Sequence, residues 1–206
     1  MERIKVNEIF WSAQGEGARK GISSIFLRLT GCSLGCSYCD SKSAWHTGEY
    51  FTHVEIIDKI GQLGESYPLS QVVITGGEPL EQQIEGLVDM LKDKGLFVAV
   101  ETNGNHFRNI PFDWWAVSPK DINDFRINDK LWKKISEIKL IVNDNLNFDI
   151  VRSISEKNAK IPVFLQPQFP DQNRFTKTFE LFEKCIRGGI NNVRLGVQMH
   201  RSFNIR

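Results

Sequence analysis

The segment GCSLGCSYCDS, residues 31–41, holds Cys32, Cys36 and Cys39 in a C-x3-C-x2-C spacing. Thiols this close in a chain with no secretory signal are metal ligands or catalytic groups rather than halves of disulfides. A structural zinc site takes four protein ligands, so His46 or His53 would have to complete it, and an electron-transfer cluster takes four cysteines. Three thiolates can instead hold three irons of a 4Fe-4S cube and leave the fourth iron open to a substrate or cofactor. The remaining cysteine, Cys185, recurs at helical spacing with Phe179, Phe182 and Ile186, which is the pattern of a buried core thiol. His46, His53 and His106 carry no signal of their own.

Other groups able to do chemistry sit in short segments that each follow a β-prone run: TGGEP at 75–79, TNG at 102–104, SPK at 118–120 and QPQ at 166–168. Gly76 and Gly77 permit close approach of backbone to a ligand, and Glu78 offers a carboxylate for an ammonium group. The same residues also suit a plain turn in which Glu78 favours a helix N-terminus and Pro79 opens it. Nearer the start, Gln14 in QGEG can donate and accept through one amide, which suits the edge of a heterocycle and equally a polar turn.

The elements that must position these groups follow from hydrophobic pattern. Strands are predicted at 24–29, 71–75, 97–102, 114–118, 137–142, 161–166 and 192–197, separated by helical patterns at 54–63, 82–94, 146–155 and 175–187. Alternation of this kind gives α/β architecture with a parallel sheet or barrel, and ligands bind where such strands end. Between 118 and 137 there is room only for a loop and a short helix near 131–134, so the barrel is expected to be incomplete. In the first strand Ile25, Leu27 and Leu29 share the face that packs under helices, which turns Phe26 and Arg28 toward the interior. An arginine there calls for an anion.

A chain of 206 residues, 41% hydrophobic, can bury one large core, and no linker or repeat divides it, so residues 1–206 are read as one domain. With 26 basic against 25 acidic side chains the net charge is +1, which argues against a nucleic-acid or membrane-surface protein and for a neutral or small-molecule partner. The opening MERIKVNEIF lacks a continuous apolar segment, and a cytoplasmic location is expected.

The cysteine spacing with Tyr38 before the last thiol resembles the signature of the radical S-adenosylmethionine superfamily. Within it, EIFWSAQGEGARKGISSIFLRLTGCSLGCSYCDS, ITGGEP, ETNG, VSPK, LQP and the C-terminal QMHRSFNIR resemble the 7-carboxy-7-deazaguanine synthases over nearly the whole chain. The resemblance implies a partial parallel (βα)6-type barrel. It further implies that Cys32, Cys36 and Cys39 carry a 4Fe-4S cluster. S-adenosylmethionine would then be bound by Tyr38, Cys39, Asp40, Gly76, Gly77, Glu78, Gly104, Ser118, Pro119, Lys120, Gln166, Pro167, Gln168 and Phe169. The pterin substrate would meet Ala13, Gln14, Gly15, Arg28, Thr102, His200 and Arg206. Ser41 stands where the family often has threonine and would ligate magnesium.

By the same resemblance the reaction is a radical ring contraction of 6-carboxy-5,6,7,8-tetrahydropterin with loss of ammonia. It draws electrons from a reductase such as flavodoxin or ferredoxin, in a homodimer that contacts neither nucleic acid nor membrane. A glycyl-radical activase and a non-enzymatic zinc or iron-sulfur module are the competing readings; QGEG and the terminal histidine region speak against the first.

Overall fold

The computed structural model describes residues 2–68, 70–169 and 173–205. Its strands are β1 (Arg3–Ala13), β2 (Ser23–Leu29), β3 (Glu49–Thr52), β4 (Gln71–Gly76), β5 (Val98–Thr102), β6 (Trp114–Val117), β7 (Glu137–Val142), β8 (Val163–Pro167) and β9 (Val193–Leu195). The helices are α1 (His53–Ser66), α2 (Glu85–Asp93), α3 (Phe148–Lys157), α4 (Arg174–Arg187) and the short α5 (Met199–Phe203). All the strands form one nine-stranded sheet in the order β3-β1-β2-β4-β5-β6-β7-β8-β9. From β2 through β4 to β9 every pairing is parallel, while β1 runs antiparallel to both β2 and β3. The row ends at β3 and β9 without joining, which is the incomplete barrel. Between β6 and β7 the chain makes only 3-10 turns, at Asp121–Asn123 and Asp129–Leu131, in place of a full crossover helix.

β1 and β3 lie outside the predicted strands. The alternation of charge and apolar residues in RIKVNEIFWSA is itself the signature of a half-buried strand, and its register on β2 slips between Val6 and Glu8. The slip changes the strand's buried face. Ile4 and Val6 pack into the main core with Ile25, Leu27 and Leu29, whereas Glu8 pairs with Arg28 and Phe10 with Phe26 on the inner side.

The two faces of the sheet have different contents. The outer face, with Val72, Ile74, Val98, Val100, Ile138 and Leu140, is covered by Ile56 and Ile60 of α1, Leu87 and Leu91 of α2, Val151 of α3 and Cys185 of α4. The inner face begins with an apolar plug of Phe10, Phe26, Val73 and Ala99, and Arg19 lies 4.0 Å over the Phe97 ring beside it. Trp114 and Trp115 face opposite ways, as adjacent strand residues must: Trp115 is buried edge-on to Phe112 on the outer side, and Trp114 borders the plug.

The backbone at the end of β4 is pressed against the end of β2. The amide of Gly77 donates to the Leu29 carbonyl at 2.9 Å, and that of Glu78 to the Gly31 carbonyl at 2.7 Å. A Cβ on Gly77 would stand 1.7 Å from the Gly31 oxygen, and Gly76 adopts φ +114° with a Cβ position 2.3 Å from the Leu29 nitrogen. Glycine is required here by contact with the loop that carries the cysteines. Gly77→Ala is therefore expected to destabilise the fold by about 1–3 kcal/mol, the range for forced overpacking. Thermal unfolding with parallel iron analysis checks this; an unchanged melting temperature with full iron uptake would contradict it.

Candidate active site

Because side chains alternate along a strand, a polar residue stands two positions beyond the plug residue on β2, β4 and β5, where Arg28 follows Phe26, Thr75 follows Val73 and Glu101 follows Ala99, and on β7 Lys139 stands two beyond the buried Glu137. These residues floor a cavity of about 400 Å3 at the C-terminal ends of the parallel strands. The segments expected to converge do so here. Its walls include Ala13, Gln14 and Gly15, the thiols of Cys32, Cys36 and Cys39 with Tyr38, Asp40 and Ser41, then Gly76, Gly77, Thr102, Ser118, Lys120, Pro167, Gln168, Phe169 and His200.

The cysteine loop is held from three sides. Besides the glycine clamp, the Ser33 amide and hydroxyl donate to Glu81, the hydroxyl at 2.5 Å. On the far side the Tyr38 hydroxyl donates to Asp121 at 2.6 Å, and the other oxygen of Asp121 accepts from Asn143 and Asn145, each at 2.8 Å. Burial and this bond push the Tyr38 phenol up, while its four donors hold Asp121 down. All three thiols are free and face one cavity. Burial pushes the Cys32 and Cys36 thiols up, so a metal must displace protons to bind them as thiolates. Three free cysteines lining one cavity suit a cluster with one open iron.

Some expected contacts are differently employed. The Glu78 carboxylate is 1% exposed and lies outside the cavity lining. It accepts from the Thr102 hydroxyl at 2.6 Å, the Asn103 amide at 2.7 Å and the Leu80 amide at 3.0 Å, so it ties the end of β4 to that of β5 and starts the turn at Pro79. Burial still pushes its pKa up. Gly104, at φ +82°, gives its amide to Thr102 and turns the chain rather than meeting the cavity. Pro119 and Gln166 also stand behind the wall, and Arg206 lies outside the described residues. Arg28 already has an anion: its Nε donates to Glu8 at 2.8 Å, and a terminal nitrogen donates to the Ser41 hydroxyl at 2.6 Å. Ser41 in turn donates to Asp40 at 3.0 Å.

The cavity residues that the sequence pattern did not single out include Glu16, Glu101, Asn103 and Lys139. Glu16, Glu101 and Asn103 stand inside QGEG and ETNG, next to residues that were singled out. Lys139 could have been found by parity, since a charged E-x-K within a buried strand must put both side chains on one face. Burial opposes the charge on Lys139, but the surrounding glutamates more than offset that and push its pKa up. Burial opposes the charge on Glu16 as well, and Lys139 overcomes it to hold that carboxyl below its ordinary range. Glu137 is pushed up by burial and accepts from the Ala18 amide at 2.7 Å, fixing the QGEG loop from beneath. At the open side of the barrel the Met199 amide donates to the Gly15 carbonyl at 2.9 Å, bringing His200 against that loop. Side-chain atoms of Glu16, Asp40 and His200 all lie within 4.8 Å of one another.

The fold and the cysteine-lined cavity define a radical S-adenosylmethionine enzyme, and the Radical SAM superfamily model matches residues 27–193. The 7-carboxy-7-deazaguanine synthase of Bacteroides thetaiotaomicron is 40% identical over 98% of each chain, and that of Escherichia coli is 30% identical over 97% of this chain and 98% of its own. The crystal structure of QueE from Escherichia coli superposes with a TM-score of 0.77 at 28% identity, covering 96% of this chain and 95% of that one. The chain belongs to the 7-carboxy-7-deazaguanine synthase family. No helix among the described residues is long and apolar enough to cross a membrane.

Asn103 supplies a test of where the cofactor sits. Its Oδ1 accepts from the Asn105 amide at 2.9 Å, but its Nδ2, buried at the cavity wall, has no partner among the described residues. Such a donor suits an acceptor on a ligand, as the carboxylate or ribose of S-adenosylmethionine would offer. Asn103→Asp keeps the turn and removes the donor. Titration of the cluster-loaded protein with S-adenosylmethionine is expected to show a loss of affinity of roughly tenfold or more, the value of a hydrogen bond to a charged group. Unchanged affinity would place the cofactor elsewhere.

Proposed function

We propose that this chain converts 6-carboxy-5,6,7,8-tetrahydropterin to 7-carboxy-7-deazaguanine with loss of ammonia, a step in 7-deazapurine synthesis of the queuosine type. One observation carries the reading: the free thiols of the cluster loop and a charged, hydrogen-bonding floor of Arg28, Glu101, Glu16 and Lys139 line the same cavity. The names of full-length relatives favour this activity over the activase and binding-module readings. Cys32, Cys36 and Cys39 would hold a 4Fe-4S cluster, which would supply the electron for reductive cleavage of S-adenosylmethionine to methionine and a hydrogen-abstracting deoxyadenosyl radical.

What the protein does is bind and orient. The glycine clamp and the Tyr38–Asp121 bond fix the cysteine loop against the strand ends, and Asn103, Ser118, Lys120 and Phe169 form the cofactor side of the cavity. Glu16 and Glu101 face the cavity as acceptors for the N–H groups of an amino-pyrimidinone edge. Arg28 lies at the end nearest the cluster loop, where it can take the substrate carboxylate.

Magnesium would be held by the oxygen of Ser41 with Asp40 beside it, a hard-oxygen set suited to that ion. The Ser41 hydroxyl accepts from Arg28, so a cation there meets positive charge unless an anion draws the guanidinium away. The substrate carboxylate is such an anion, and ion and substrate would bind together. A flavodoxin or ferredoxin as reductant and a homodimeric assembly complete the proposal.

The experiment is anaerobic: the reconstituted protein is given S-adenosylmethionine, a reductant, magnesium and 6-carboxytetrahydropterin, and products are identified by mass spectrometry. 7-Carboxy-7-deazaguanine is expected, and none without S-adenosylmethionine. Deoxyadenosine without that product would retain the radical chemistry and overturn the substrate. Cys36→Ala is expected to lose both products along with cluster iron.

A further inference from the structure

The ammonium of Lys139 donates to Glu16 at 2.8 Å and to Glu101 at 2.9 Å, and its side chain is 5% exposed. Each carboxylate is also held by neighbours on other elements: Glu101 by the Thr75 hydroxyl at 3.0 Å and the Gln14 amide at 3.2 Å, and Glu16 by Gln198 at 3.0 Å. Gln14 closes the arrangement, since its oxygen accepts from the Glu16 backbone amide at 3.1 Å. Glu137, two residues before Lys139, faces the same ammonium. The bracing leaves Glu16 and Glu101 with free lone pairs, and both line the cavity.

Stability alone does not account for this arrangement. A buried ion pair is often no better than well-packed apolar side chains, because desolvation consumes most of the Coulomb attraction. One pleat below, β1, β2, β4 and β5 seal the same barrel with Phe10, Phe26, Val73 and Ala99, none of them charged. Carboxylates gathered around one cation at the cavity surface are placed to serve a ligand.

We infer that Lys139 is a specificity-determining positioning residue: it holds Glu16 and Glu101 side by side as hydrogen-bond acceptors, so that the cavity selects a heterocycle presenting adjacent N–H donors along one edge. The inference rests on the pterin reading and adds the group that enforces it. Lys139 acts through the carboxylates.

The test compares 6-carboxytetrahydropterin with its 2-oxo analogue, in which a carbonyl acceptor replaces the amino donor. Binding to cluster-loaded protein with S-adenosylmethionine is measured by equilibrium dialysis for wild type, Lys139→Met and Lys139→Arg, with deoxyadenosine formation and the KM for S-adenosylmethionine recorded beside it. Wild type is expected to prefer the amino ligand by at least about a hundredfold, since a site built to hydrogen-bond a donor leaves buried acceptors unpaired without it. In Lys139→Met the preference should fall at least tenfold while the KM for S-adenosylmethionine holds. Lys139→Arg should recover most of it.

A merely structural lysine would weaken both ligands alike, so an unchanged preference in Lys139→Met overturns the inference. If that variant does not fold, Glu101→Gln, which keeps the shape of the side chain, must show the same collapse, and an intact preference there overturns it equally. If wild type cleaves S-adenosylmethionine but binds neither ligand, the pterin reading itself falls and takes the inference with it.

Discussion

The two-residue period of the strands governs this molecule, because the inner face of each parallel strand must serve two purposes within one pleat repeat. Phe26, Val73 and Ala99 seal the barrel, and two residues further on Arg28, Thr75 and Glu101 open it to chemistry. On the antiparallel β1 the order is reversed, with Phe10 opposite Phe26 and Glu8 opposite Arg28, which it pairs. A slip of one residue in any of these strands would turn a charge into the helix-packed core and an apolar side chain into the cavity. The register slip between Val6 and Glu8 lets one strand satisfy the main core with its first half and the interior with its second.

Around that floor the loops depend on backbone contact. The cysteine loop has little regular structure of its own, and its thiols face one cavity because GGEP lies directly against its base through two backbone hydrogen bonds. Glu78 then fastens GGEP to β5 with three accepted bonds. A buried carboxylate so fully engaged is rigid, and the rigidity passes through Gly77 to Gly31 next to Cys32. Tyr38 and Asp121 restrain the opposite end of the loop from the β6 side. The position of the thiols relative to the cavity is thus fixed by the strand ends of the sheet.

Much of this was legible in the sequence. The parallel strands were, because β-branched and aromatic runs alternated with helical periods, and parity alone aimed Arg28 inward and left Ile25, Leu27 and Leu29 for the core. The β1 strand was only partly so: its alternation of charged and apolar residues has a period of two, but the slip between Val6 and Glu8 breaks that period halfway along. The loops showed which residue types gathered at the mouth but not which way each pointed. Glu78 turned into the protein because the amides of Leu80 and Asn103 lay within reach, and Asn103 was left at the wall with a spare donor. Such choices depend on which backbone groups a fold leaves unpaired, and a single sequence does not list them. Arg28 shows the same limit: its need for an anion followed from burial, yet the nearest anion, Glu8, arrives through a register slip that no pattern announces.

The cavity has two halves of unlike chemistry. Toward β5 and β6 it offers glycines, Asn103, Ser118 and Lys120, with few ion pairs. Toward β1, β2 and β7 it offers Arg28 with Glu8, and Lys139 with Glu16 and Glu101. A charged ligand can replace a weak internal hydrogen bond far more easily than a buried ion pair, because breaking the pair leaves a charge without water or partner. The first half is suited to a ligand that brings its own charges, and the second to a flat polar molecule that adds hydrogen bonds to carboxylates already paired. The cysteine loop borders both halves through Tyr38 on one side and Ser41 on the other, so under the proposed function a radical formed beside the thiols would arise at the boundary between the cofactor side and the substrate side.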